Sequence, residues 1–196
     1  HQCDRRQRQM CIRDRGETMS LNVGDVAPEF NLKNANDSDG GTSSLSASML
    51  KNGCVVVFEC NHCPYVIASI DRMNNMAEYC KVNAIGFVGI NSNDPDNYPA
   101  DSFENMQKRA GKGMPYPYLH DGTQEVATLW GAQRTPEFFL MNGEGVVIYH
   151  GRMDDSPRDP TAATTSELKD AIDAMLAGST PPVQFTDSIG CSVKWK

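Results

Sequence analysis

Two rhythms of apolar residues run through the chain. Cys54-Val55-Val56-Val57-Phe58-Glu59 is a nearly unbroken β-branched run, the pattern of a strand buried on both faces. Beyond it the spacing changes to a helical period. Val66, Ile67, Ile70, Met73, Met76, Ala77 and Cys80 recur along one face and predict a single helix over 64–81. A second apolar run, residues 84–91, predicts another buried strand. Strand, helix and strand in that order predict a βαβ unit with parallel strands.

The flanking segments carry weaker signals. Residues 21–32 read as an extended lead-in and 34–46 as a polar loop rich in Asn, Asp, Gly and Ser. Asp101 and Glu104 have the spacing of a capping box for a helix ending near Gly111. A short helix is expected over 124–130, closed by Gly131. Residues 137–141 and 146–149, joined by Asn142-Gly143-Glu144-Gly145, predict an antiparallel hairpin. Thr164 and Glu167 are expected to cap a last helix with an apolar stripe of Leu168, Ala171, Ile172, Met175 and Leu176. No internal repeat or second domain is visible.

With 196 residues the chain can bury one sizeable core, and no apolar run is long enough to span a bilayer. Residues 1–18 stand apart. They hold five arginines and almost nothing apolar, and the run 8–15 resembles translated sequencing-adapter sequence. They read as non-native or as a disordered basic tail, so the domain is taken as 19–196. Thirteen basic against twenty-two acidic residues then remain, a formal charge of −9. That balance argues against nucleic acid or an anionic membrane as partner.

The candidate chemistry sits at the first strand-to-helix junction, Cys60-Asn61-His62-Cys63-Pro64. Pro64 suits the first helical position, where its missing N–H costs nothing. Free amides at a helix start favour a thiolate, the reactive form of cysteine. Cys60 is expected to be the more exposed thiol and the first to react, with Cys63 near enough to close a disulfide on it. His62 is a candidate tuner that stabilises the Cys60 thiolate and makes the couple more oxidising. A zinc site would need further ligands that the spacing does not supply, so no metal is expected. Cys54 and Cys80 read as core, and Cys191 as a possible late resolving cysteine. With residues 1–18 set aside, five cysteines and no export signal point to a reducing cytoplasm.

The order βαβ, helix, ββα, with Cys-x-x-Cys after the first core strand, resembles the thioredoxin fold, a central mixed sheet flanked by helices. Thr135-Pro136 stands directly before the hairpin, where thioredoxin-like proteins carry a cis proline packed against the cysteine pair. The runs 58–66, 90–94, 98–102, 121–127, 151–155 and 190–196 are similar to the peroxiredoxin-like branch of that superfamily, grouped with alkyl hydroperoxide reductase and thiol-specific antioxidant domains. Many members of that branch have a third cysteine before the Thr-Pro, where this chain has Arg134. Arg134 is therefore expected near the pair, where it would hold a thiolate or a peroxide oxygen. The resemblance implies a thiol–disulfide oxidoreductase working through Cys60 and Cys63 with no cofactor. Alternatives are a thiol peroxidase and a non-catalytic metal- or protein-binding domain. Peroxiredoxins generally carry Pro-x-x-x-Thr/Ser-x-x-Cys; with Cys63 laid on that cysteine, Val56 and Cys60 replace the proline and the hydroxyl residue. Expected partners are protein disulfides or hydroperoxides and a thioredoxin or glutathione system, with no nucleic acid and no membrane.

Overall fold

A computed structural model describes residues 20–196. The segment 1–18 and its two cysteines lie outside them. Seven strands form one mixed sheet in the order β2-β1-β5-β4-β3-β7-β8. They are β1 (Asn31–Asn34), β2 (Thr42–Ser44), β3 (Gly53–Phe58), β4 (Ile85–Asn91), β5 (Tyr118–His120), β7 (Glu137–Met141) and β8 (Val147–Gly151). A two-stranded ladder joins β6 (Arg134–Thr135) to β9 (Cys191–Ser192). The helices are α1 (Leu45–Ser48), α2 (Pro64–Ile67), α3 (Ile70–Val82), α4 (Phe103–Ala110), α5 (Glu125–Trp130) and α6 (Glu167–Leu176).

β3 lies at the centre, parallel to β4 and antiparallel to β7, and every residue of β3 and β4 is buried. Successive side chains of β3 point to opposite faces. Val55 and Val57 pack with Met73 and Cys80 of α3 and with Leu168 and Ile172 of α6. Cys54, Val56 and Phe58 pack on the other face against Trp130 of α5 and the lead-in residues Leu21 and Phe30. Two covered faces are why the run is apolar at every position. On that second face the Trp130 ring meets Phe139 edge-on at 5.2 Å between centroids.

Several expectations are corrected. The polar loop at 34–46 contains β2 and the start of α1, which pair and pack with β1 and the lead-in. The single helix 64–81 is two helices broken at Ala68 and Ser69. Ser69 causes the break: its buried hydroxyl donates to the Tyr65 carbonyl one turn back and lies 2.9 Å from the Pro157 carbonyl. Such back-bonding competes with the helix ladder. The capping box is also displaced. Ser102, not Asp101, caps α4 by accepting from the Asn105 amide, and Asp101 is drawn inward to other partners. Thr164 does not cap α6; it bonds Asp155, while Glu167 pairs with Arg152.

Candidate active site

The cysteine motif lies at the carboxyl end of β3, beside the carboxyl end of β4. That end of an open α/β sheet is where loops converge and ligands bind. Cys63 is the residue that caps α2, with φ −69° and ψ 125°, and Pro64 takes the first helical position. Cys60 is not the exposed thiol that was expected: it keeps 1% of its surface, and Cys63 keeps none.

Thr135 meets both. Its hydroxyl lies 3.5 Å from the Cys60 sulfur and its carbonyl oxygen 3.5 Å from the Cys63 sulfur. The Thr135–Pro136 peptide bond is cis. Cys191, on β9, is the register partner of Thr135 and packs into the same cluster as Cys60 and Cys63. The motif thus meets β6 and β9 from one side, and three thiols share one pocket of the fold.

Their proton affinities diverge. Interaction with the Cys60 thiol, opposed by burial and aided by the Cys191 thiol, brings Cys63 down to about 4. The amides of Val66 and Cys191 add smaller stabilisation. The same interaction with Cys63, together with burial and the Asp101 charge, holds Cys60 well above the ordinary thiol range. These surroundings favour the thiolate at Cys63 rather than at Cys60, where it was expected. Burial and contact with Cys63 push Cys191 up to about 11.

A polar network missed in the sequence anchors the motif. The fully buried Asp101 accepts from the Asn61 amide at 2.6 Å, from the Asn91 side chain at 3.2 Å and from the Asn93 side chain at 3.0 Å. His62 Nδ1 bonds Asp101 Oδ2, the oxygen that also accepts from Asn93, and the His62 ring stacks on Tyr98, 5.7 Å between centroids and 7° between planes. His62 is thus tied to Asp101, and it approaches Cys60 as one of three donors, Cys60, His62 and Asp101, whose ligand atoms lie within 4.8 Å of one another. Both oxygens of Asp101 are already occupied by protein donors.

Beneath the motif, Glu59 pairs with Arg109 at 2.7 Å and accepts from the Tyr116 hydroxyl. Arg109 also donates to the Cys60 carbonyl at 3.0 Å. Charge pairing makes the burial of Glu59 tolerable. The signals that could have revealed this network were polar residues directly after β4, in Asn91-Ser-Asn-Asp94, and an acid at the end of an otherwise apolar β3. Arg134 differs from expectation. It is exposed, donates to the Gly190 carbonyl at 3.3 Å, and its charge bears on Cys191.

A central mixed sheet with a dithiol at the end of β3 and a Thr-Pro opposite is the thioredoxin fold, and the family and relatives that the chain matches make it a thiol-dependent oxidoreductase. The chain belongs to the Redoxin family, which it matches over residues 22–172. It is similar to a Geobacillus kaustophilus protein of known crystal structure, 38% identical over 90% of this chain and 93% of that one, with a TM-score of 0.83. A Sinorhizobium meliloti protein is 32% identical over 91% and 97% of the two chains, also with a TM-score of 0.83. A Mycobacterium tuberculosis protein named as a peroxiredoxin is 26% identical over 132 residues, 67% of this chain and 77% of its own length.

Proposed function

We propose that Cys60 and Cys63 form a redox couple that exchanges with substrate disulfides, with Cys63 as the nucleophile. The convergence of both sulfurs on Thr135, with the proton held on Cys60 and the charge on Cys63, carries this reading. The Cys63 thiolate attacks one sulfur of a substrate disulfide and expels the other as a thiolate. Cys60 gives up its proton and attacks the Cys63 sulfur of the mixed disulfide. The second substrate thiol leaves, and two electrons have passed from the pair to the substrate. A thioredoxin or glutathione system would restore the dithiol.

Peroxide reduction is the second reading, supported by the low proton affinity of Cys63 and by the name of the mycobacterial relative. There the Cys63 thiolate attacks a peroxide oxygen, and the departing oxygen takes up a proton. The resulting sulfenic acid condenses with Cys60, releasing water. The test is stopped-flow oxidation of the reduced protein by hydrogen peroxide, beside Cys60→Ser and Cys63→Ser. A rate far above that of a free thiolate, lost in Cys63→Ser alone, establishes the peroxidase. A rate like that of a free thiol leaves disulfide exchange, checked by reduction of a model disulfide.

The cluster of Cys60, His62 and Asp101 supports a third reading, a metal-binding domain. Metal analysis of protein purified without chelator separates it: a stoichiometric ion would favour this reading over redox chemistry.

A further inference from the structure

Oxidising equivalents deposited on two buried sulfurs must reach an external reductant. A thiolate attacking a disulfide has to contact a sulfur directly; as with the entry of a substrate disulfide, the Cys60–Cys63 pair must open for that contact, because in the closed fold neither member offers surface for it. Cys191 does, because it is half-buried at the rim of the same cluster.

The placement of Cys191 is built by backbone. β9 runs antiparallel to β6, with Cys191 opposite Thr135 and Ser192 opposite Arg134. Thr135 is the residue that touches both sulfurs of the pair. Gly190 permits the approach: a Cβ there would stand 2.0 Å from the Thr135 carbonyl oxygen and 2.6 Å from its carbon. The tail is secured just beyond the cysteine. The Val193 amide donates to Gln133 O at 2.9 Å and the Asp94 amide to Lys194 O at 2.8 Å. Gln124 donates to Lys194 O at 2.9 Å. Backbone ladder, close glycine contact and side-chain clamp hold a third thiol against the redox pair from a segment about 130 residues away.

The geometry points to Cys191 as a second resolving cysteine, which moves the disulfide from the buried Cys60–Cys63 pair to a Cys63–Cys191 bond at the surface. This rests on the reading of Cys60 and Cys63 as a redox couple. The step is a balanced exchange. The Cys191 thiolate attacks the Cys63 sulfur, the Cys63–Cys191 bond forms, and Cys60 leaves as a thiolate that takes up the proton Cys191 gave up. An external thiolate then attacks the Cys191 sulfur and expels Cys63 as its stabilised thiolate. A second external thiol releases Cys191 and carries away the new disulfide. Two electrons enter and one external disulfide leaves. Cys63 is the common partner in both bonds because it interacts with both of the other thiols, and both Cys60 and Cys63 meet Thr135, the register partner of Cys191.

The test uses the full chain. Cys60→Ser is oxidised with one equivalent of diamide, alkylated and digested with trypsin, and because Cys54 and Cys63 share the 52–72 peptide its fragmentation by tandem mass spectrometry assigns each cysteine. The expected product is a peptide containing Cys63 joined to one containing Cys191. Recovery of both as alkylated thiols overturns the proposal. In the wild type, both the 60–63 and the 63–191 linkages are expected, whereas a 60–63 linkage alone also overturns it. Absence of a 60–63 linkage in Cys191→Ser would instead count against the redox couple itself. Oxidised Cys191→Ser and Cys191→Ala are then reduced by excess glutathione. Re-reduction at least tenfold slower than wild type in both supports the relay, and equal rates overturn it.

Discussion

His62 Nδ1 donates to Asp101, a carboxylate with no exposed side-chain surface. Asp101 accepts from the Asn61 amide and from Asn91 and Asn93 as well, so the proton of that bond belongs to the imidazole. One buried acid therefore fixes both residues between the cysteines and sets a negative charge beside Cys60.

Asp101 and His62 should act on the couple with opposite signs. Asp101→Asn removes a negative charge beside a pair whose reduced form carries one, so the reduced state gains and the reduction potential should rise, by less than the roughly 30 mV of one pKa unit because Asp101 bears on Cys60 while the charge sits on Cys63. It also leaves buried donors unmatched, at a cost of about 1–3 kcal/mol. His62→Ala leaves Asp101 without the partner that offsets it and should lower the potential. Equilibration against glutathione reads both. Two unchanged potentials in folded variants would mean that this network positions the loop without tuning the sulfurs.

The potential should also depend weakly on pH. Cys63 is brought down to about 4 by the Cys60 thiol while Cys60 is held above the ordinary thiol value. Between about pH 4 and about pH 8.5 the reduced pair then carries one proton, so a two-electron couple should shift by about 30 mV per pH unit. A slope near 59 mV would show both thiols protonated. Stability follows the same sign. In that window the unfolded Cys63 binds a proton that the folded one does not, so stability of the reduced protein should rise with pH and lose this contribution as pH falls through about 4.

Arg109→Met should be costly. It strands the Glu59 carboxylate, which burial already pushes upward against the pull of Arg109. Removing one member of a buried pair costs about 3–5 kcal/mol. The loss should be smaller near pH 5 than at neutral pH, because a Glu59 whose folded proton affinity is raised is stabilised by taking up that proton. Urea unfolding at the two pH values measures it, and adding Glu59→Gln should recover part of the stability. An equal loss at both pH values would assign the effect to packing.

Gly190→Ala tests the tail. The new Cβ would meet the Thr135 carbonyl, which is backbone and has little room to move. We expect about 1–3 kcal/mol of destabilisation and a reduced yield of the Cys63–Cys191 cross-link in the Cys60→Ser background. A normal melting temperature with a normal yield would show that β9 does not need the glycine.

Much of the fold was legible because its signals are local. A β-branched run buried on two faces, a glycine closing α5 and an Asn-Gly turn between two apolar runs each announce themselves within a few residues, and β3, β4, α5 and the hairpin fall close to their expected places. The errors came where a distant partner outcompeted a local preference. Ser69 lies against the Pro157 carbonyl across the fold, turns its hydroxyl back on the Tyr65 carbonyl and breaks a helix that its neighbours favour. Asp101 has the spacing of a cap but finds Asn61, His62, Asn91 and Asn93, leaving Ser102 to cap α4.

The site divides in the same way. The sequence by itself determined that two cysteines flank a strand-to-helix junction, that a proline follows them and that Thr135-Pro136 stands before the hairpin. Only the tertiary structure sets the two sulfurs apart in proton affinity, because that depends on what surrounds each one. The Asp101 charge faces Cys60, the thiols of Cys60 and Cys191 support Cys63, and β9 brings Cys191 to them from the far end of the chain. Thiol acidity is set by electrostatics and burial acting over a few ångströms, and those neighbours lie from three to about 130 residues away in sequence.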